Sequence, residues 1–436
     1  MQQILTYFFL VVYSVTILGI ILVIITENRN PLKTLPWIVV LVLAPVVGLV
    51  FYFFFGQNLS KQRIISRRTR KRITMQLEEA EHTDGPDLPE EYRPLAALLT
   101  NTSHSIPLYG SRITTYTDGR SKMEALLTEI ACAKHHIHIQ YYILNDDETG
   151  RRLRDALIAK AREGVEVRIL YDDVGSSGAK KSFFRSMRSE GIEVYAFLHV
   201  KFPLFTSKVN YRNHRKIAVI DGCVGFLGGM NIADRYVRGT QWGTWRDTHF
   251  RIEGSGAAGL QASFLSDWSA TTKTHISGPE YYPPVGHFTD DILQIAPSGP
   301  FGKWRALLQA DSYAIARARQ RIWIQTPYYL PSEVLNTALQ EAALAGIDVH
   351  LMLPARSDSK VVDLATHSYL DDMMKAGVKI SFYKPGFLHS KLLIIDDMLS
   401  VIGSANMDFR SFEHNFEINA FVYDREFASR MAAIFE

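Results

Sequence analysis

Apolar and polar positions divide the chain into an apolar N-terminal part and a longer part built from short alternating elements. Two N-terminal runs, from Ile4 to Ile25 and from Leu35 to Phe55, hold 22 and 21 residues without a charged side chain. A helix of about 20 apolar residues crosses the hydrocarbon core of a bilayer, and only nine residues separate the runs. The pattern predicts a transmembrane hairpin over residues 1–57, in which Pro36 and Pro45 are tolerated. No signal-peptide cleavage site precedes Glu27, so we expect the first run to be retained.

The charge pattern changes sharply after the hairpin. Seven of the twelve residues from Lys61 to Arg72 are basic, and an acidic stretch containing Pro and Gly follows from Glu78 to Glu91. Basic residues beside a membrane segment favour the cytoplasmic side, and they can also contact anionic lipid head groups. A topology signal without lipid specificity explains them equally well. We expect a linker over 58–94, with the rest of the chain in the cytoplasm.

The remainder of the chain alternates between strand-like and helix-like patterns. The segments HIHIQYYIL, GVEVRILYDD and GIEVYAF are typical of strands, and helical patterns cover Gly150 to Glu163 and KSFFRSMRSEG. Two more strands are predicted from Ile217 to Ile220 and from Val224 to Leu227. This alternation predicts an α/β fold with a mixed sheet flanked by helices.

The same order of segments returns in the second half. RIWIQTPYYL resembles HIHIQYYIL, and GVKISFY resembles GIEVYAF. Matched positions are 182 residues apart for Gly164 and Gly346, and 175 apart for His214 and His389. An internal duplication explains this pattern. We predict two mixed-sheet domains, 95–275 and 276–436, packed as a pseudo-dimer with a site at their interface.

One polar motif occurs in both halves with the same spacing. A histidine is followed by a lysine two residues later, an aspartate seven residues later, and a pair of small residues before an asparagine. The first copy comprises His214, Lys216, Asp221, Gly228, Gly229 and Asn231, and the second comprises His389, Lys391, Asp396, Gly403, Ser404 and Asn406.

The motif suits chemistry at an anionic phosphorus centre. Histidine and lysine two apart on a strand emerge on one face, whereas the aspartate falls on the other face and is expected to support backbone or a buried charge. One imidazole can attack phosphorus while the other protonates the departing alkoxide. Lysine and asparagine side chains can hold the non-bridging oxygens. This chemistry requires no metal ion, and we predict no cofactor.

Composition narrows the alternatives without deciding among them. The 436 residues carry a formal charge of +3, which does not require a nucleic-acid partner, and the two cysteines, Cys132 and Cys223, cannot form a disulfide framework. The segment GSSGAKKS lacks the glycine that a nucleotide-binding Walker loop needs before its lysine, so no nucleotide site is predicted. A single histidine–lysine pair would indicate a solvated strand face, but two complete copies favour catalysis.

These motifs resemble the duplicated signatures of the phospholipase D superfamily. NYRNHRKIAVIDG, LGGMNIADRY, WRDTHFRIEG, QTPYYLP and FLHSKLLIIDD are similar to bacterial cardiolipin synthases of that type. With the hairpin, the similarity covers nearly the whole chain. The resemblance implies a protein of the bacterial cytoplasmic membrane, with both domains on the cytoplasmic side.

The resemblance also implies the roles of the site residues. His214 is expected to be the nucleophile that forms a phosphatidyl-histidine, with His389 as general acid and then base, although the sequence alone leaves the two roles interchangeable. It further implies that Glu417, 28 residues after His389, and Asp247, 33 residues after His214, orient the imidazoles. The unequal spacing makes Asp247 the weaker of the two assignments.

The implied reaction joins two phosphatidylglycerol molecules into cardiolipin and releases glycerol. The expected partners are therefore phosphatidylglycerol and anionic membrane lipid, and nucleic acid is not expected. Two other functions stay open: a phospholipase D-type hydrolase that uses the same residues, and a non-catalytic membrane scaffold. Family members usually continue beyond the position that matches Glu436, so truncation of the second domain is a further expectation.

Several other features have more than one interpretation. His135, His136 and His138 lie close together, but no carboxylate or thiol stands at ligand spacing, so a polar start to a strand is favoured over a metal site. The segment KFPLFTSKV from Lys201 is either a lipid-contacting loop or a covered loop. The aromatic residues Trp242, Trp245, Tyr141, Tyr142, Tyr328 and Tyr329 either line the entrance to the site or pack in the core.

Overall fold

The computed structural model describes residues 1–26, 31–52, 56, 64–80, 87–199 and 210–436. The chain forms two compact units, one of Met1–Leu59 with Val200–Asn210 and the other of Ser60–His199 with Tyr211–Glu436. The segment KFPLFTSKV and parts of the predicted linker lie outside the described residues.

Among its described residues, the N-terminal unit contains the helices α1 (Gln2–Thr26), α2 (Pro31–Leu43) and α3 (Pro45–Phe51). Helix α1 contains an apolar span of 21 residues, long enough to cross a membrane. The second apolar run is interrupted at Ala44, whose φ of −138° and ψ of 68° are not helical. Proline at the next position disfavours a helical conformation in the residue before it, which accounts for the break. Ile17 and Leu41 are buried where α1 and α2 pack together.

The larger unit holds all of the strands among the described residues. Its first half contains helices and strands in alternation. The helices are α4 (Arg67–Ala80), α5 (Arg93–Ser103), α6 (Gly119–Cys132), α7 (Glu148–Arg162), α8 (Lys181–Arg188), α9 (Asp234–Arg238) and α10 (Ser255–Thr272). The strands are β1 (Leu108–Tyr109), β2 (Arg112–Tyr116), β3 (His136–Tyr141), β4 (Glu166–Asp172), β5 (Glu193–Phe197), β6 (Ile217–Ile220), β7 (Val224–Gly228), β8 (Thr244–Arg246) and β9 (His249–Glu253).

The second half repeats this alternation. Its helices are α11 (Ala306–Ile315), α12 (Glu333–Leu344), α13 (Lys360–Lys375), α14 (Phe409–Glu413) and α15 (Arg425–Phe435). Its strands are β10 (Ile292–Ser298), β11 (Arg321–Gln325), β12 (Tyr329–Leu330), β13 (Asp348–Pro354), β14 (Lys379–Tyr383), β15 (Gly386–Leu388), β16 (Leu392–Ile395), β17 (Leu399–Gly403), β18 (Met407–Asp408) and β19 (Glu417–Tyr423).

The two halves build two sheets of the same design. The strand order is β2-β9-β7-β6-β3-β4-β5 in one sheet and β1-β10-β19-β17-β16-β11-β13-β14 in the other. In each sheet three strands run parallel, β3-β4-β5 and β11-β13-β14, and the strand that follows the histidine motif pairs antiparallel with the first of them. The duplicated mixed-sheet fold predicted from the repeat is confirmed.

A continuous apolar core joins the two sheets. Ile217 and Phe250 of the first sheet lie in one cluster with Ile394 and Ile418 of the second. Helix α10 is buried along nearly its whole length and contacts strands of both sheets. A helix with apolar and small residues on every side is expected in such a position, because no face of it has to meet solvent.

The opening part of the first half, α5 with β1, packs with the second half. Strand β1 pairs with β10, and Leu95 and Leu99 of α5 lie in the same core cluster as Leu307 and Ile322. The sheet of the first half itself begins at β2. The two halves are thus joined by this segment as well as by their shared core.

Candidate active site

Both histidine motifs lie at corresponding places in the two sheets. Lys216 immediately precedes β6, and Lys391 immediately precedes β16. Because β6 runs antiparallel to β3, with Ile217 opposite Gln140, the start of β6 lies at the carboxyl end of β3. The start of β16 lies in the same way at the carboxyl end of β11, with Leu392 opposite Gln325. Each histidine therefore stands at the carboxyl edge of its own parallel strands.

Backbone pairing between the halves brings each histidine beside the opposite half. Asn213 forms a parallel bridge with Phe416, and the His214 amide donates to the Phe416 carbonyl at 2.9 Å. In the second motif β15 pairs in parallel with β8, and the His389 amide donates to the Arg246 carbonyl at 2.6 Å. Each pairing ends one residue before a carboxylate of the opposite half.

The first crossed pair joins His214 to Glu417. Oxygens of the Glu417 carboxylate lie 3.0 Å from Nδ1 of His214, and the Ser404 hydroxyl donates to the same carboxylate at 2.5 Å. Burial alone would raise the pKa of Glu417, but His214, Lys216 and the Ser404 hydroxyl together hold it below its ordinary value. An ionised carboxylate can only accept, so Nδ1 donates to it and Nε2 keeps its lone pair.

The second crossed pair joins His389 to Asp247. Nδ1 of His389 lies 2.6 Å from Oδ2 of Asp247. Burial raises the pKa of Asp247 to about 6, against the opposing charge of Lys391. The imidazole is enclosed by aromatic rings, with centroid distances of 5.4 Å to Trp245 and 5.8 Å to Tyr236. The His389–Asp247 pair is more enclosed than the His214–Glu417 pair, and its carboxylate is less firmly ionised.

Burial keeps both imidazoles neutral in the free protein. It lowers the pKa of His214 to about 4, against the charge of Glu417, and it lowers the pKa of His389 well below its ordinary range. The side chain of His214 keeps 12% of its surface exposed, and the ring of Tyr142 contacts it edge-on at 4.9 Å. A neutral, partly exposed imidazole is available as a nucleophile.

The two lysines add buried positive charge to the same site. Nζ of Lys216 donates to the His214 carbonyl at 2.5 Å, and Nζ of Lys391 donates to the His389 carbonyl. Burial lowers the pKa of Lys216 to about 7 and that of Lys391 to about 8, and repulsion from Lys391 contributes to the shift of Lys216. An anion bound between them would relieve both the repulsion and the loss of solvation, so the arrangement favours an anionic ligand.

The asparagines and small residues differ between the copies. Asn231 accepts from the Ile143 amide at 3.0 Å and donates to the Tyr236 hydroxyl at 2.6 Å. Nδ2 of Asn406 donates to Asp408 at 3.3 Å. A Cβ atom on Gly229 would lie 2.2 Å from Oδ1 of Asp247, so only glycine leaves room for that carboxylate. At the matching position, Ser404 uses its hydroxyl to hold Glu417.

The motif aspartates lie at the other end of the strands. Oδ1 of Asp221 accepts from the amides of His135 and His136 at 2.8 and 2.9 Å, where β3 begins. Asp396 accepts from the amides of Arg319, Gln320 and Arg321 before β11. Their left-handed backbone, with φ of 50° and 51°, forms the tight turn after β6 and β16. Both side chains accept hydrogen bonds from backbone amides at the end of the sheet opposite to His214 and His389.

Sequence reasoning missed two residues that hold the first motif in place. Asp267 on α10 accepts from Arg215 at 2.5 Å and from Asn213 at 3.1 Å, the residues on either side of His214. Arg215 also donates to the Glu417 carbonyl at 3.0 Å. A lone charge within the otherwise uncharged run of α10 was the available signal, because a buried carboxylate needs a partner.

Aromatic residues named from the sequence divide between site and core. Tyr142 and Trp245 contact the two histidines, whereas Tyr329 is buried in the core of the second half. Tyr141 is buried and accepts from Nζ of Lys122 at 2.8 Å. Within the described ranges, no group of three or more His, Cys, Asp or Glu side chains is placed to hold a metal ion.

Comparison with known proteins places the chain in a family. Residues 126–258 and 313–436 match the family described as cardiolipin synthase, PLD-like domain, and residues 14–57 match the phospholipase D-nuclease N-terminal family. Cardiolipin synthase 2 of Bacillus cereus is 41% identical over 421 residues, 95% of this chain and 82% of the relative. The major cardiolipin synthase of Bacillus subtilis is 38% identical over 97% of this chain and 90% of its own length.

Solved structures share the fold at low sequence identity. Phosphatidylserine synthase of Haemophilus influenzae matches with a TM-score of 0.59 and 15% identity, over 78% of this chain and 89% of its own. Polyphosphate kinase of Porphyromonas gingivalis matches with a TM-score of 0.51 and 14% identity, over 81% of this chain and 50% of its own. The apolar helix α1 and the curated relatives together indicate membrane association. The chain belongs to the family of cardiolipin synthases with duplicated phospholipase D-like domains.

Proposed function

We propose that the protein is a membrane-bound phosphatidyl transferase that makes cardiolipin and glycerol from two molecules of phosphatidylglycerol. The observation that carries the proposal is the crossed arrangement of two histidine–carboxylate pairs with two buried lysines between the halves. Such a site offers a nucleophile, a proton carrier and positive charge without a bound cofactor. Membership of the cardiolipin synthase family supports the choice of product.

In the first step Nε2 of His214 attacks the phosphorus of one phosphatidylglycerol. A nitrogen–phosphorus bond forms, the bond from phosphorus to the glycerol head-group oxygen breaks, and protonated His389 gives its proton to that oxygen. His389 is neutral in the free protein, so the phosphate charge must raise its pKa when substrate binds. Glycerol leaves, and the phosphatidyl group stays on His214.

In the second step His389 takes the proton from a terminal hydroxyl of another phosphatidylglycerol. The resulting oxygen attacks phosphorus, the nitrogen–phosphorus bond breaks, and His214 is regenerated. The two steps together consume two molecules of phosphatidylglycerol and produce one cardiolipin and one glycerol. Water in place of the second lipid would give phosphatidic acid, so transfer depends on the lipid hydroxyl reaching the intermediate before water does.

The remaining site residues are assigned by what they contact. Lys216 and Lys391 are proposed to neutralise the non-bridging oxygens, because both are buried next to the imidazoles. Asn231 and Asn406 position the surrounding backbone and are available to the phosphate. Glu417 and Asp247 orient the imidazoles and stabilise them when protonated.

We assign Asp221 and Asp396 a structural role, since each carboxylate caps the start of a central strand. The residue ranges 95–275 and 276–436 are kept as the two catalytic domains. We further propose that residues 1–57 cross the membrane twice and that the catalytic domains face the cytoplasm. The basic residues after the hairpin support that orientation.

The test is product analysis with purified full-length protein in phosphatidylglycerol vesicles. Cardiolipin and glycerol are expected in equal molar amounts, and a chelator should not change the rate. Phosphatidic acid as the main product would identify a hydrolase and contradict the proposal. A variant with both His214→Ala and His389→Ala is the control for contaminating activity.

A further inference from the structure

Each half of the chain carries an arginine at the same distance behind its histidine. Arg235 follows His214 by 21 residues and Arg410 follows His389 by 21 residues, so each arginine stands four residues after the motif asparagine. Arg235 lies on α9 and Arg410 on α14, the short helices that follow the two motifs. Both residues are exposed. The duplicated motif therefore extends by one basic residue in each half.

Arg235 lies against the aromatic rings that enclose the histidine of the opposite half. Its guanidinium carbon is 5.1 Å from the centroid of the Trp245 ring and 5.4 Å from that of the Tyr236 ring. The same two rings contact the His389 imidazole. Arginine stacks on aromatic faces because the ring quadrupole attracts the cation. The two rings thus hold Arg235 next to the residue proposed as acid and base.

Arg410 occupies the corresponding place on the other side of the site. Its charge opposes the burial-induced rise in the pKa of Tyr142, and the ring of Tyr142 contacts that of His214 at 4.9 Å between centroids. Each arginine therefore accompanies the histidine of the opposite half, as the carboxylates Glu417 and Asp247 do.

The surroundings of Arg235 contain acidic side chains, but these have other partners. Glu148 pairs with Arg238, Asp234 with Thr149, Asp247 with His389 and Asp358 with Tyr328. Among the described residues, no carboxylate lies within ion-pair distance of the Arg235 guanidinium. It is the position of this one unpaired cation, and not an excess of positive charge around it, that points to a ligand.

The guanidinium of Arg235 is suited to bind a phosphate. One of its donors bonds the Tyr236 hydroxyl, and the planar group has further donors arranged as a fork. Such a fork matches two oxygens of one phosphate. Because the aromatic rings already hold the group, binding costs less conformational entropy than it would for a freely moving side chain.

The proposed reaction brings a second phosphate to the His389 side only. His389 gives its proton to the departing glycerol and later takes a proton from the incoming hydroxyl, so the two groups occupy the same place. The departing glycerol ends in a free hydroxyl, whereas the incoming phosphatidylglycerol carries a phosphodiester one glycerol unit away from its reacting oxygen. A cation just beyond His389 can therefore distinguish the two. On the His214 side, where Arg410 lies, the reaction brings no second phosphate.

We propose that Arg235 binds the phosphodiester of the acceptor phosphatidylglycerol and thereby selects a lipid, over glycerol or water, to attack the phosphatidyl-histidine. This assignment rests on the proposed function. It makes Arg235 a specificity-determining residue for the second step, and Arg410 its counterpart without that role. Glycerol released in the first step lacks the phosphate, so it gains nothing from Arg235 when it competes with the second lipid.

The first arm of the test measures two transfers in one reaction. Purified full-length protein in phosphatidylglycerol vesicles receives labelled glycerol, which reacts with the phosphatidyl-histidine to give labelled phosphatidylglycerol, while a second lipid gives cardiolipin. Arg235→Gln should lower the ratio of cardiolipin to labelled phosphatidylglycerol about tenfold, because the charge-assisted hydrogen bonds to one acceptor are lost. Taking the ratio cancels any change in folding or in the first step.

Arg410→Gln is the matched control for this arm. Its ratio should stay within about twofold of the wild-type value, because an exposed cation that meets no phosphate contributes little. An unchanged ratio in Arg235→Gln would overturn the proposal, whether both products fall or neither does. An equal or larger fall of the ratio in Arg410→Gln would also overturn it, since the acceptor would then lie on the His214 side.

The second arm compares two soluble acceptors, glycerol phosphate and glycerol, which differ only in the phosphate. With short-chain phosphatidylglycerol in neutral detergent as donor, wild-type protein should use glycerol phosphate with a kcat/KM about tenfold above that for glycerol. Arg235→Gln should lose this preference through a higher KM for glycerol phosphate. Equal use of both acceptors by the wild type, or a preference that survives in Arg235→Gln, would refute the proposal.

The two arms separate failure of this assignment from failure of the proposed function. A wild-type protein that transfers the phosphatidyl group to no alcohol would contradict both together. Transfer to lipid and to glycerol that is indifferent to Arg235 would contradict the assignment alone.

Discussion

The two histidine–carboxylate pairs are built alike and behave differently. His214 faces Glu417, a carboxylate whose pKa is held below its ordinary value by neighbouring positive charge and a hydroxyl donor. His389 faces Asp247, whose pKa burial raises to about 6, inside a ring of aromatic side chains. The comparison shows that two copies of one motif acquire different electrostatic surroundings, partly through the residues around them and partly through the exchange of Gly229 for Ser404 within the motif.

The difference matches two chemical tasks. A firmly ionised Glu417 keeps the proton of His214 on Nδ1, which leaves Nε2 free to attack. Burial raises the pKa of Asp247 to about 6, so this carboxylate is less firmly ionised than Glu417 and lies nearer to the pH at which proton transfer must occur. From these surroundings we propose His214 as the nucleophile and His389 as the acid and base, an assignment that the sequence left open.

Removing either imidazole should have the largest effect. His214→Ala and His389→Ala should each lower cardiolipin formation by at least about 10⁴-fold, because each step needs both groups. The variants should differ in what accumulates. His389→Ala should still form some phosphatidyl-enzyme with a substrate whose leaving group needs no proton, whereas His214→Ala should form none. Equal adduct formation by both variants would abolish the proposed division of roles.

Replacing each carboxylate by an amide should change the pH dependence of the rate differently for the two histidine–carboxylate pairs. Glu417→Gln and Asp247→Asn should each cost on the order of 10³-fold, because an amide no longer stabilises the imidazolium. Wild-type activity should fall below about pH 6 as Asp247 takes up a proton. That acid limb should persist in Glu417→Gln and vanish in Asp247→Asn. The reverse pattern in a rate profile from pH 5 to pH 8, roughly the range over which the pairs titrate, would show that the carboxylates had been assigned wrongly.

Exchanging the small residues beside the carboxylates tests whether the pairs are interchangeable. Gly229→Ser should lower activity about 100-fold, because its Cβ would displace the Asp247 carboxylate. Ser404→Gly should lower activity about tenfold, since it removes the hydrogen bond to Glu417 and the one accepted from the Ile418 amide but leaves the carboxylate room. The KM for phosphatidylglycerol should change less than kcat in both. Similar losses in the two variants would indicate that the two carboxylate sites tolerate the same neighbours.

A smaller effect, on the free energy of unfolding, is expected from charged residues buried behind the motifs. Lys122 is buried on α6 and Asp311 on α11. Burial raises the pKa of Asp311 to about 8, above the value of about 3.9 for an unfolded chain. The unfolded chain releases this proton first, so the free energy of unfolding falls as pH rises from about 4 to about 8.

Asp311→Asn should therefore stabilise the protein by about 2 kcal/mol near pH 8 and have little effect near pH 4. Thermal unfolding of the detergent-solubilised protein at both pH values measures the difference. The exposed Asp290→Asn serves as control and should show no such dependence. A pH-independent change in Asp311→Asn would mean that Asp311 is already ionised in the folded protein.

The sequence predicted the features that depend on spacing. The duplicated sheets and the equivalence of His214 and His389 followed from identical intervals in the two halves. The structural placement of Asp221 and Asp396 on backbone amides agrees with their odd separation from the histidines. These features are local, and local geometry is what residue spacing encodes.

The sequence did not reveal the features that depend on contacts between residues far apart along the chain. The crossing of Glu417 to His214 and of Asp247 to His389 arises from pairing of β15 with β8 and of Asn213 with Phe416, which no local pattern reveals. The packing of α5 into the second half is equally long-range. In the N-terminal unit the second apolar run was long enough for one helix, but Pro45 breaks it after Ala44.

We propose that His214 alone carries the phosphatidyl group, in a site completed by the opposite half. The most direct measurement is turnover of phosphatidylglycerol labelled in its phosphate, quenched with denaturing detergent at mildly alkaline pH, where the nitrogen–phosphorus bond survives. Proteolysis and mass spectrometry under the same conditions then map the histidine that carries the label. The label is predicted on His214 in wild-type protein, and it should fall sharply in Glu417→Gln but persist in Asp247→Asn. Label on His389, or labelling of His214 that depends on Asp247 and not on Glu417, would contradict the account.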